Sequence, residues 1–157
     1  LETAGGIVQA LPLLMTDASA KGQNRPHGKN IAPFMVVNAD VWTDYPFEKL
    51  LVHDLGEDFA HLVMVDNPAE KKQSGGDFFL NDLQRLNDKS QGQGLTFAGI
   101  SLMSEKLFAG CGPQRGALLP RFQWAIAQDR LSGEYYAGDW EDVGTIDRLE
   151  RLRERVQ

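Results

Sequence analysis

Phe34-Met35-Val36-Val37-Asn38-Ala39-Asp40 joins a short unbroken apolar run to a carboxylate. A half-solvated strand would alternate polar and apolar residues, so this run suits a strand buried on both faces. Ligands of open α/β sheets bind beyond the carboxyl ends of the strands. An Asp at such a place can hold a hard cation through oxygen, as Mg²⁺ bound to substrate phosphates requires. The plainer reading of Asp40 is a cap on the turn at 41–44.

Similar runs recur outward from this stretch. Residues 61–65 form a second one, stopped by Asp66-Asn67-Pro68. Residues 77–80 form a weaker third, 95–102 a fourth, and 134–137 a last strand. Helical spacing marks 5–14, with Ile7, Val8, Leu11 and Leu14 on one face and Thr3 as cap. It also marks 45–55 and 117–130. Ser104 caps a short helix at 104–108, and Thr145 caps a final one at 145–156. Helices alternate with buried strands, and neighbours between 61 and 102 look hairpin-like. The expected class is α/β with a mixed sheet. Residues 16–33 have no period and no core residues, so they read as an exposed loop insertion.

The chain has 157 residues, 42% apolar and 24% charged, enough for one domain with a real core. Sixteen Lys and Arg against 22 Asp and Glu give a formal charge of −6. With no basic run, nucleic acid and anionic membranes are poor partners. No apolar stretch approaches the roughly 18 residues of a membrane helix. A single cysteine, Cys111, excludes an internal disulfide and a four-cysteine zinc site. A reducing compartment, the cytoplasm, is the default expectation. The chain opens Leu1-Glu2-Thr3-Ala4-Gly5-Gly6, with neither Met nor the basic start of a signal peptide.

Asp139-Trp140-Glu141-Asp142-Val143-Gly144-Thr145 places three acids just before a helix cap. If the segment is extended, Glu141 and Asp142 point opposite ways, so one of them at most faces a given site. The bland alternative is helix-dipole compensation. Other candidates are weaker. His27, His53 and His61 lack ligand spacing, and the last two read as surface or strand-edge residues. Cys111 reads as a filler, and Trp42, Trp124 and Trp140 mostly as core. Gly110-x-Gly112-x-x-x-Gly116 misses the dinucleotide fingerprint.

Six segments in order carry a family resemblance: residues 1–7, 37–45, 65–68, 76–78, 96–101 and 140–145, with Val41-Trp42-Thr43-Asp44-Tyr45 intact. Together they resemble the sugar-1-phosphate nucleotidyltransferases, most of all the branch that uridylylates N-acetylmuramate 1-phosphate in peptidoglycan recycling. The resemblance implies a Rossmann-like nucleotidyltransferase fold and transfer of UMP from UTP to a sugar 1-phosphate, with pyrophosphate leaving. It implies Mg²⁺ as cofactor, with Asp40 and Asp142 as catalytic metal ligands. Glu2, Gly5 and Gly6 match the nucleobase and ribose pocket; Asn38, Asn67, Asp77 and Gly99 match positions around the sugar. Asn38-Ala39-Asp40 stands where the family has Asn-Gly-Asp. The family's Gly-rich loop with its Arg and Pro-Lys-Pro does not occur in these residues. The expectation is therefore that residues 1–157 form the C-terminal part of one nucleotidyltransferase domain whose first strands lie elsewhere, and that this part alone is inactive. A sugar-nucleotide binding module without catalysis and a mannose- or glucose-1-phosphate nucleotidyltransferase are the alternatives.

Overall fold

The computed structural model describes residues 3–17, 32–69, 75–88, 92–112 and 116–156. Helix α1 (Thr3–Asp17) comes first and packs Ile7, Val8 and Leu11 against the core. It runs past the expected end at residue 14, into the segment read as loop. Residues 18–31 of that segment lie outside the described residues.

Strand β1 (Phe34–Val37) forms as expected, but it is not buried on both faces. It pairs antiparallel with one neighbour, Phe34 opposite Met103 through Val37 opposite Ile100. Its first three residues are half-buried and Val37 is 42% exposed. The doubly buried strand is β3 (Ala60–Val65), every residue of which is buried. It lies between β6 (Gln93–Met103), antiparallel, and β7 (Leu131–Tyr135), parallel, so the sheet is mixed as expected. Strands β4 (Phe78–Leu80) and β5 (Leu86–Asn87) complete the order β5-β4-β6-β3-β7, with β1 also on β6.

Strand alternation splits the core between the two sheet faces. Ala60, Leu62 and Met64 pack with Leu131, Phe122 and Ala125 under α1 and α3 (Leu119–Ala127). Val63 and Val65 pack with Ala98, Ile100, Leu102 and Leu50 on the other side, under α2 (Phe47–Leu51). His61 is therefore not at a surface or edge: it sits within β3 at 2% exposure.

Two helices are shorter than their apolar spacing predicts. Pro46 is the N-cap residue of α2 and Tyr45 leaves the helix to bond Glu134, while at the far end the helix stops at Leu51, with Val52 as C-cap. Asp129 at φ +53° follows α3, and β7 begins at Leu131 rather than at 134. Helix α4 (Ile146–Arg155) and the 3-10 turn Glu105–Phe108 start where expected, with Thr145 accepting from Arg148 N–H and Ser104 from Lys106 N–H. Residues 41–44, expected as a turn, instead contain β2 (Val41–Thr43). It pairs antiparallel with β8 (Trp140–Asp142) as a separate ribbon. Among the described residues no helix is long and apolar enough to cross a membrane.

Candidate functional site

The ribbon brings the two candidate acids together. Val41 stands opposite Asp142, and Val143 N–H donates to Asp40 C=O at 2.8 Å. Two further bonds fix the ribbon's far end: Thr43 Oγ1 donates to Asp139 C=O at 2.7 Å, and Asp44 N–H donates to the same oxygen at 3.2 Å. Tyr136 donates its hydroxyl to Asp44 and is pushed up to about 12, by desolvation first and then by that bond.

Gly144 measures how closely the carboxylates converge. A Cβ placed there would stand 3.0 Å from Asp142 Oδ1 and 3.0 Å from Asp40 Oδ2. Two hard oxygen donors thus share one small space that a side chain at 144 would fill. Glu141 pairs with Arg155 at 3.3 Å and lines the same cleft as Asp142, so the expectation that one of the two at most faces the site does not hold. Among the described residues no group of three or more His, Cys, Asp or Glu is placed to hold a metal by itself. A carboxylate pair is nevertheless what Mg²⁺ uses when substrate phosphates and water supply its remaining ligands.

The pair lines a cleft of about 520 Å³ that also takes in Asn38, Asp66, Asn67 and Gly99. The cleft floor is held rigidly. Trp140 Nε1 donates to Ala98 C=O at 2.8 Å, and this half-buried tryptophan packs against the core while also walling the cleft. Asn67 is oriented at both ends: its Nδ2 donates to Gly94 C=O at 3.1 Å, and Thr96 Oγ1 donates to its Oδ1 at 2.9 Å. Gly99, at φ +75°, is buried beneath Asn38, whose Nδ2 would lie 2.8 Å from any Cβ there. Gly99 therefore supports Asn38 as well as lining the cleft.

The other expected contacts are more dispersed. Asp77 lines a neighbouring cavity of about 490 Å³ with Gly76, Phe97 and Phe122, and its Oδ2 accepts from Phe97 N–H at 3.0 Å. Asn38 belongs to both cavities. Gly5 is buried and lines a third, about 290 Å³, beside Cys111. Gly6 lines none of the three. Glu2 lies outside the described residues. Three arginines of α4, Arg148, Arg151 and Arg155, also line the first cleft. No motif marked them for the cleft: Arg148 reaches back six residues to Asp142, and Arg155 reaches Glu141.

No protein-family model matches the chain. It is 39% identical, over 98% of its length, to the N-acetylmuramate alpha-1-phosphate uridylyltransferase of Neisseria meningitidis serogroup B, and spans 61% of that relative. Its fold matches HddC from Yersinia pseudotuberculosis, solved with GMP-PN, at a TM-score of 0.64 and 14% identity over all of this chain and 63% of that one. The inositol-1-phosphate CTP transferase from T. maritima gives a TM-score of 0.64 at 12% identity, over 98% of this chain and 60% of that one. The resemblance read from the six segments thus extends to nearly the whole chain, and the α/β fold is that of nucleotidyltransferases.

Proposed function

We propose that this chain carries the cation and sugar-phosphate side of a sugar-1-phosphate nucleotidyltransferase, with UTP and N-acetylmuramate 1-phosphate as substrates. The observation that carries the reading is the meeting of Asp40 and Asp142 on one small space, in a chain 39% identical to a uridylyltransferase of that substrate. In the reaction, an oxygen of the sugar phosphate attacks the α-phosphorus of UTP. A new P–O bond forms, the bond from that phosphorus to the bridging β-oxygen breaks, and pyrophosphate leaves. Such a transfer needs in-line positioning and charge stabilisation rather than covalent help.

Asp40 and Asp142 would hold Mg²⁺, which when bound neutralises charge on the phosphates. Asn38 and Asn67 lie along the same cleft and offer amide groups to sugar hydroxyls or to an acetamido group. Trp140, fixed by its bond to Ala98, gives the cleft an apolar wall beside the acids. Gly5 and Gly6 would border the nucleotide, and Asp77 the outer part of the sugar. The proposed product is UDP-N-acetylmuramate, and the proposed setting is cell-wall recycling in the cytoplasm.

The chain spans 61% of the relative's length, so the test uses a complete enzyme. This chain replaces the matching part of the meningococcal relative, and pyrophosphate release is followed with UTP and N-acetylmuramate 1-phosphate. Turnover that needs Mg²⁺ and prefers the muramate substrate is expected. A folded chimaera that binds UDP-sugar without turnover would favour a binding module. Preference for glucose or mannose 1-phosphate would reassign the sugar.

A further inference from the structure

Among the described residues, the Asp142 carboxylate accepts hydrogen bonds from its own chain, and the Asp40 carboxylate differs from it in this respect. Asp142 Oδ1 accepts Gly144 N–H at 2.9 Å, and its Oδ2 accepts Arg148 Nη1 at 2.7 Å. Among the described residues no side-chain hydrogen bond reaches the Asp40 carboxylate, although both acids line the same cleft. The Arg148 and Asp142 side chains are 30% and 44% exposed. An ion pair that open adds little to stability. It leaves Oδ1, the Asp142 oxygen on the side of Asp40, clear of the guanidinium, but it holds a positive charge on the same carboxylate that a cation would use.

Arg148 is held there by the start of α4. Its backbone N–H is the one that Thr145 Oγ1 caps, at 3.3 Å, so the turn that begins the helix also aims the guanidinium back at Asp142. Arg151 and Arg155 follow on the same helix and line the same cleft. The helix thus presents positive charge beside the acids, and a guanidinium suits a phosphate oxygen as well as it suits a carboxylate.

We infer that Arg148 is a positioning residue that acts through Asp142. Before substrate binds, it orients and neutralises the Asp142 carboxylate through Oδ2; a divalent cation held between Oδ1 and Asp40 repels the like charge, and the released guanidinium takes an oxygen of the sugar phosphate. The inference rests on the proposed reading of Asp40 and Asp142 as cation ligands. It assigns Arg148 a charge that changes partners, where a structural ion pair would keep one.

The test is calorimetric titration of the complete chimaeric enzyme, with this chain as wild type, Arg148→Gln and Arg148→Lys. Mn²⁺ is added alone, and then N-acetylmuramate 1-phosphate is added in saturating Mn²⁺. Removing a like charge a few ångströms from the cation should tighten Mn²⁺ binding to Arg148→Gln by about tenfold. The same variant should bind the sugar phosphate about tenfold more weakly, for loss of a charge-assisted bond, and Arg148→Lys should fall between on both readouts. An arginine that only props Asp142 in place predicts weaker Mn²⁺ binding, and that result overturns the inference, as does no change in either titration. The wild type gives a check that no folding defect can affect: Mg²⁺ should shift the guanidinium ¹⁵N resonance of Arg148, and an unmoved resonance overturns the inference. Asp40→Asn and Asp142→Asn separate the two levels. If Mn²⁺ binding ignores both, the cation reading falls and takes this inference with it. If binding needs both acids but Arg148→Gln does not tighten it, only this inference falls.

Discussion

At the start of β3, His61 is 2% exposed, with Nδ1 3.0 Å from Ser132 Oγ and its ring centre 3.9 Å from that of His53. Arg85 closes this end, gripping Asp58 with bonds of 2.9 and 2.8 Å and also reaching Asp129. Past the other end of the strand, Asp66 and Asn67 enter a cleft of about 520 Å³ with Asp40 and Asp142. Both ends are rich in titratable groups, and what separates them is where the groups point. The first end is a closed network in which cation meets anion and imidazole meets hydroxyl. The second also pairs anion with cation, Asp142 with Arg148 and Glu141 with Arg155, but it aims two carboxylates at shared open space. A buried charge must be paired, so polar clustering alone does not mark a site; convergence on an opening does.

The contrast can be broken in three places. Asp40→Asn or Asp142→Asn, in the complete chimaeric enzyme, should lower kcat about a thousandfold with melting temperature almost unchanged. A rate near wild type in Mg²⁺ would mean that the open end is not the chemical end. At the closed end the expected effect falls on stability. Burial first, and then the neighbouring His53, lower the His61 pKa to about 4, against the ordinary 6.5, while Asp58 works the other way. The unfolded chain takes up a proton that the folded chain refuses, so this contribution is whole above about pH 6.5 and is lost as pH falls toward 4. The loss reaches up to about 3 kcal/mol. Denaturant melts across that window should show a shallower pH dependence in His61→Gln than in wild type; equal slopes would deny the closed network. The smallest effect belongs to Gly144→Ala. Its Cβ would press on both acids at 3.0 Å, so a shift of a few tenths of an ångström should cost about tenfold in kcat and leave stability alone. Unchanged kcat would mean that the spacing of the pair is not critical.

What could be read from the residues follows from how local each feature is. The runs at 61–65 and 95–102 announce strands because burial leaves them mostly apolar, with few polar residues breaking them. The caps at Ser104 and Thr145 are legible because each acts within three residues. The helix over 45–55 has apolar residues in register, yet it starts only after Pro46 and stops at Leu51, five residues in all. β2 and β8 carry no period at three residues each; their pairing is decided by a partner far along the chain. Asp40 stood out at a strand end, and the resemblance supplied Asp142, but nothing local said that the two would meet at Gly144. His61 is the converse case. A histidine inside an apolar run looks like an edge residue until Ser132 on the parallel neighbour gives it a partner.

The central claim is that Asp40 and Asp142 act as one cation-holding pair. Anomalous diffraction from a crystal of the complete chimaeric enzyme grown with Mn²⁺ and UDP-N-acetylmuramate checks this pairing. The account predicts one Mn²⁺ peak touching oxygens of both carboxylates beside Gly144, with sugar-nucleotide phosphate in its coordination shell. A nucleotide sugar bound in the cleft with no Mn²⁺ between the two acids would contradict it.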